Sequence, residues 1–439
     1  MRILNRFLPI TLLMLMALWV GSSTSVAQEK TSDLTHDLLI ADTSFIPLNS
    51  SMSERKLHLA TLDCAPQPLT VDFAYQALFD CTLGDLQERY PVREMWGDQF
   101  VINWTGDLSN DATAFGPELL FRLYAETGDP QSYQDAMETV RYSFKYITDL
   151  FNGGQRIEEW NFESVVLGLN SLITCVEFGK PEDQQMCSAL VTPVLFTLST
   201  LFNGPDVEEL FADWEFYQQS KTVIYSHLAE AEIRLFQAKG SKLIHLGHIA
   251  RAKQLMAHME ERAQKNELGF YSSPEWDDVW ATVGPMIAYA RLYGLVKKPH
   301  YKEEFDALMN ALETHRAVDI TDPTGAYYSN SFLNRVFASG QVQCVDAFLE
   351  MYAATQDPFY LQKGESFINF ARDYLYLPTL GEPIRDFWFS DLVREVPHLT
   401  HDLFESQPSQ YVELSDIYCS GESFYMLDLL LKHRRLTAK

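Results

Sequence analysis

The chain has 439 residues, of which 46% are hydrophobic, and a formal net charge of −26. That acid excess comes without runs of Lys or Arg, which argues against binding nucleic acid or anionic lipid. It suits neutral or cationic ligands, or a soluble exported surface.

In chain order, residues 1–27 read as a secretory signal peptide. Arg2 and Arg6 form its positive end, Leu8 to Val20 its apolar core, and Ser25-Val26-Ala27 a small-x-small cleavage site. The apolar run is shorter than the roughly 20 residues that span a bilayer, so cleavage is expected, with no stable membrane insertion afterwards. Losing two arginines and no acid leaves the mature chain at −28. The mature protein is expected to be exported, periplasmic or secreted. Residues 28–64, rich in Ser, Thr and Asp over 28–60, read as an N-terminal arm or leader. Residues 65–439 read as one helical domain with no Pro/Gly/Ser linker.

Within that domain one turn is written several times. Residues 123–133 are LYAETGDPQSY, 292–301 are LYGLVKKPHY and 351–360 are MYAATQDPFY. Tyr124, Tyr293 and Tyr352 each precede a proline (Pro130, Pro299, Pro358) by the same interval, and a weaker copy ends at Pro181. A polar residue or glycine closes one helix and proline opens the next. Recurrence of this kind marks a repeat architecture. Six helices that follow long loops are apolar on most faces, near 110–127, 161–178, 217–239, 276–298, 338–356 and 420–436. Such helices are buried and form an inner ring. One-sided helices near 130–152, 181–202, 241–264, 299–318 and 358–377, with one near 69–89, form the outer ring. The fold expected is all-α, an (α/α)6 toroid of six helical hairpins closed by its two chain ends.

The six cysteines permit three disulfides in an exported chain, with 15 possible connectivities. Neighbour pairing gives Cys64–Cys81, Cys175–Cys187 and Cys344–Cys419. No CxxC or His–Cys spacing suggests zinc, so neither metal nor cofactor is expected.

The turns from inner to outer helices are short and the returning loops are long, notably 203–216, 265–275, 319–337 and 378–419. Long loops therefore gather on one face, with the N-termini of the inner helices, and the binding site is expected there. These loops repeatedly join acids to tryptophan: Glu158-Glu159-Trp160, Asp213-Trp214-Glu215, and Glu275-Trp276-Asp277-Asp278 with Trp280 one step on. Flat aromatic faces stack on sugar rings, and breaking a glycosidic bond takes two carboxyl groups, one protonated and one ionised. Asp277 and Asp278 are the candidate catalytic pair. With Ser273 as N-cap, they fall a turn inside the helix, where capping does not need them and Asp is a poor helix former. Close like charges raise one pKa, as a general acid requires. Trp160, Trp214, Trp276, Trp280, Glu159, Asp213 and Tyr328 are candidate substrate contacts. His245, His248 and His258 read as surface residues of an outer helix.

Leu123-Tyr124-x-x-x-Gly128-Asp129-Pro130-x-x-Tyr133, with its copy at 351–360, resembles the hairpin turn of the six-hairpin glycosidase superfamily, and the likeness runs over roughly residues 65–437. That superfamily also hosts polysaccharide lyases, epimerases and inactive relatives. Trp276-Asp277-Asp278-Val279-Trp280 is similar to the adjacent aspartates of endo-α-1,6-mannanases, which implies nucleophile and general acid/base roles for Asp277 and Asp278. Here the pair sits in the fourth hairpin without a clear partner motif. The expected activity is glycoside hydrolysis on an oligo- or polysaccharide. A lyase or epimerase with a tyrosine or histidine base, and a non-catalytic glycan-binding toroid, are the rivals.

Overall fold

The structure, a computed structural model, describes residues 74–89, 92–97, 99–103, 111–153, 162–239, 246–271, 278–316, 326–327, 338–372 and 420–438. Six helices form the inner ring: α2 (Asp111–Thr127), α4 (Phe162–Phe178), α8 (Lys221–Lys239), α10 (Asp278–Val296), α12 (Ala338–Thr355) and α14 (Ser420–Thr437). The outer ring is α1 (Gln76–Arg89), α3 (Pro130–Asn152), α5 (Pro181–Phe202), α9 (Leu246–Arg262), α11 (Pro299–Leu312) and α13 (Pro358–Phe370). Each inner helix packs on the next, and α14 packs back on α2 and on α1, which closes the ring. The expected (α/α)6 toroid is the fold observed.

The repeated turn works through its backbone. Gly128, Lys297 and Gln356 occupy the same place in three copies, each with positive φ (73°, 53° and 60°). Their amides donate to the carbonyls of Tyr124, Tyr293 and Tyr352 at 2.8, 2.9 and 2.7 Å. This is the left-handed helix stop. In the fourth copy Gly179 makes the equivalent bond to Cys175, at 2.9 Å. Proline then opens each following helix, and Asp129 and Asp357 cap α3 and α13 through their carboxylates.

Several details differ from expectation. The third inner helix is broken: short helices α6 (Val207–Leu210) and α7 (Glu215–Gln219) precede α8. An antiparallel hairpin, β1 (Val92–Trp96) and β2 (Gln99–Asn103), lies against α3 and was not anticipated. Gly97, with φ 65°, allows its tight turn. His248 is not a surface residue. It is buried on α9, 2.6 Å from the Glu232 carboxylate of α8, which Arg251 also grips. An outer helix buries one face, and His248 stands on it. Helix α5 is by length and composition apolar enough to cross a membrane, but Leu190, Val191, Val194, Leu195 and Leu198 are buried within the ring. Cys175 of α4 and Cys187 of α5 form a disulfide between inner and outer rings. Cys344 is buried on α12; Cys64, Cys419 and the side chain of Cys81 lie outside the described residues.

Candidate functional site

Helical phase decides which residues of α10 reach the central pore. Ile287 and Arg291 line it. Trp280 stands seven residues before Ile287, close to two full turns, and shares that face; Asp278 stands nine before, about half a turn off. Their neighbours agree. The Trp280 ring lies 6.1 Å from the ring of His227, itself on the pore wall. Asp278, 6% exposed, has its Oδ2 4.0 Å from His315 Nε2, beyond the end of outer helix α11. One turn on, Thr282 accepts from the Tyr271 amide at 3.2 Å and donates to its carbonyl at 3.0 Å. Burial pushes the His315 imidazole below its ordinary value.

The other loop candidates separate. Trp214 is buried among Phe162, Phe211, Phe216 and Tyr217, with ring distances of 5.1 to 6.3 Å. Asp213 beside it is exposed. Tyr327 is buried and donates to Glu313 at 2.9 Å; burial first, then Glu313, raises its phenol well above the ordinary range. Asp277, Trp276, Trp160, Glu159 and Tyr328 lie outside the described residues.

The pore itself encloses a cavity of about 220 Å³, walled by all six inner helices. Its polar lining is a compensated ionic network. Glu118 of α2 accepts from Arg122 one turn along and from Arg234 of α8 at 2.9 Å. Arg234 also donates to Thr174 of α4 at 2.9 Å. Arg122 Nε approaches Asp428 Oδ1 of α14 at 2.7 Å, off the line a hydrogen bond needs. Arg291 of α10 lies 3.3 Å from Glu230 and 3.1 Å from Glu350. Lys432 bridges Glu350, at 2.7 Å, and Asp346. The hydroxyl of Tyr425 donates to Asp346 at 2.6 Å, and its ring stacks on Phe115 at 4.2 Å.

The network shifts two of its carboxyls in opposite directions. Burial pushes Glu118 up, but Arg234 and Arg122 outweigh it and hold the group well below the usual carboxylate range. For Asp428 burial dominates, opposed by Arg122 and reinforced by Glu118, and the group is pushed up to about 7. The two carboxyls that flank Arg122 are thus pushed in opposite directions. Among the described residues no group of three or more His, Cys, Asp or Glu is arranged to hold a metal ion.

None of these pore residues was singled out from sequence. A signal existed: Glu118/Arg122, Glu230/Arg234, Asp346/Glu350 and Asp428/Lys432 are charged residues four apart in helices read as buried. Charge at helical spacing in a buried helix marks a buried network, since such groups are rarely buried unpaired.

Solved structures that share the overall fold include two with a TM-score above 0.5. An unsaturated glucuronyl hydrolase specific for heparin superposes with a TM-score of 0.52 at 11% identity, over 82% of this chain and 96% of that one. The unsaturated glucuronyl hydrolase of Bacillus sp. GL1, responsible for degradation of glycosaminoglycan, gives 0.51 at 13% identity, over 82% and 95%. The chain has the six-hairpin glycosidase fold. No protein-family model matches the sequence, and no curated protein does. At such identities the likeness carries the fold alone.

Proposed function

We propose that the protein is an exported carbohydrate-active enzyme, a glycoside hydrolase working where the inner helices begin. The observation that carries this reading is the start of α10. There a buried Asp278 stands two residues from Trp280, whose ring meets His227 on the pore wall. A glycosidic bond needs carboxyl groups for proton transfer and flat rings for stacking, and acids and tryptophans gather in sequence where this inner helix begins. Asp277 and Asp278 act as the carboxyl pair, with Trp160 and Trp276 as sugar platforms; Trp280, 8% exposed like Trp214, packs beside His227. Of the pair, Asp278 faces His315, where burial keeps the imidazole neutral and fit to orient a carboxyl rather than pair with it as a cation.

A panel of polysaccharides and oligosaccharides, with products read by mass spectrometry, tests this. Asp277→Asn and Asp278→Asn are each expected to abolish hydrolysis, a fall of at least about a hundredfold for a group that moves a proton, with little change in melting temperature. Full activity in both variants removes the assignment. An unsaturated product, seen by ultraviolet absorbance, turns the reading to a lyase. Tyr327, held by Glu313 and pushed above the ordinary phenol range, is a poor base for that reaction.

A further inference from the structure

Two neighbouring outer helices, α5 and α9, present a face without charge on a strongly acidic chain. They run side by side: Arg251 of α9 lies 5.1 Å from the ring centre of Phe196 of α5, and Arg262 donates to the Phe202 carbonyl at 3.0 Å. No charged residue stands between Asp183 and Asp206 in the sequence, and the outward side of α5 shows Ala189, Phe196 and Thr200. That of α9 shows Leu246, Ala250 and Ala257. Phe196 is 52% exposed and Leu246 47%. The cations nearest the seam are turned inward, Arg251 to Glu232 at 2.6 Å and Lys239 to Thr192 at 2.5 Å. Among the described residues, charge reaches the face only at its margins. Lys180 and Glu182 stand at the start of α5 and Glu261 at the end of α9, while Lys253 lies about half a turn round α9 from Arg251, away from α5. The next outer helix, α11, by contrast turns His300 and Glu303 to solvent.

We propose that α5 and α9 form the face on which two copies of the chain pair about a two-fold axis. Charge selects this occupant. A chain with a formal charge of −26 repels its own copy, and like charges brought together in an interface are strongly unfavourable. Copies therefore meet best where neither shows charge. A cationic or anionic partner would be met by opposite charge, which this face lacks. Its size also fits. Helices of 22 and 17 residues are about 33 and 25 Å long and about 10 Å wide, so each copy contributes on the order of 500 Å². A symmetric pair then buries about 1,000 Å², where specific interfaces begin. In such a pair one patch serves both copies, with Phe196 and Leu246 projecting and Ala250 and Ala257 leaving room for the partner's side chains. A lipid surface is the poorer occupant, because the two large apolar side chains stand among alanine and threonine with no row of Lys or Arg beside them. The pairing uses no residue of the proposed catalytic site and stands apart from the hydrolase reading.

The test is sedimentation velocity of the mature protein at about 1–100 μM, repeated on Phe196→Glu, Ala250→Glu and, as a control on α11, Ala307→Glu. The wild type and the control are expected to pass from monomer to dimer within that range. Each of the first two variants places a carboxylate in the interface from both copies, and its dissociation constant is expected to rise at least about tenfold. Glutamate is a good helix former and these positions are exposed, so the variants are expected to keep the wild-type circular dichroism spectrum. Salt supplies a second reading. Raising NaCl from about 20 to about 300 mM screens the repulsion between two acidic copies, so the dimer is expected to tighten. A wild type that stays monomeric overturns the proposal. So does pairing undiminished in either interface variant, or a dimer that weakens as salt rises. Binding of the wild type to phosphatidylcholine vesicles that both interface variants lose assigns the face to a lipid surface and overturns it as well.

Discussion

An acid and a base four residues apart on a helix do different work in the pore and on the outer wall. On the wall, Lys145 and Asp149 of α3 meet at 3.0 Å with side chains 37% and 59% exposed. In the pore, Glu118 and Arg122 of α2 meet with side chains 16% and 14% exposed, and each has a second partner on another helix. Two charges 4 Å apart attract by about 1 kcal/mol in water and by about 4 kcal/mol near a protein surface of lower dielectric. The wall pair is local and solvated. The pore pair belongs to a mesh that joins α2 to α14 and, past α4, to α8. Burial costs such charges their hydration, so the mesh holds only while every member is matched. The local motif is the same; its surroundings decide whether it organises the ring or merely decorates a helix.

The largest expected effect follows from opening that mesh. Arg291→Met keeps side-chain bulk and leaves Glu230, Asp346 and Glu350 with only Lys432 between them. Removing one partner of a buried ionic group costs about 3–5 kcal/mol. Urea unfolding of wild type and variant measures it, and a loss below about 1 kcal/mol would place the pore charges in the same class as those on the wall.

Asp428 sharpens the comparison through pH. Its carboxyl titrates near 3.8 when unconstrained and is pushed up to about 7 in the fold, burial being the main cause. Between those values the folded chain holds a proton that the unfolded chain has released. This group therefore favours folding below pH 4, and its contribution is lost as pH rises towards 7. Glu118, held low by its two arginines, contributes stability above its ordinary value of 4.5 and loses it as pH falls through that value, so it touches only the acid end of this window. Asp428→Asn is expected to gain stability relative to wild type as pH goes from 4 to about 7.5. A difference that does not change with pH would mean that Asp428 is ionised throughout.

The same contrast explains what the sequence revealed. The hairpins were legible because their turns are local chemistry: a tyrosine, a left-handed stop four residues on, then a proline. Outer helices showed their faces because one side is apolar and the other polar. Inner helices did not. In α10 every residue from Asp278 to Ala290 is buried, so no stripe marks which face meets the pore. Placing Trp280 towards the pore and Asp278 towards His315 needs the rotation of α10 within the ring, which packing determines. The hairpin Val92–Asn103 escaped notice for another reason: its ten paired residues are few beside a helical repeat, and Met95 and Phe100, 59% and 51% exposed, blur the alternation. Trp214 drew attention as a loop aromatic beside acids, yet neighbouring rings enclose it, and composition does not distinguish a packed ring from a platform.

The smallest expected effect lies on the wall. Lys145→Ala removes the pair with Asp149 but leaves that carboxylate in water, where it keeps its hydration. Exposed pairs at this spacing contribute about 0.3–0.5 kcal/mol, and alanine's higher helix propensity returns part of it. The variant is expected to unfold within about 0.5 kcal/mol of wild type, with the residual difference fading as salt rises, because an exposed pair is screened. Arg291→Met, measured alongside it, should keep its deficit at high salt, since ions in solution reach the enclosed network poorly. If salt erased both differences alike, the pore would be as wet as the wall, and the dielectric contrast between two copies of one motif would be lost.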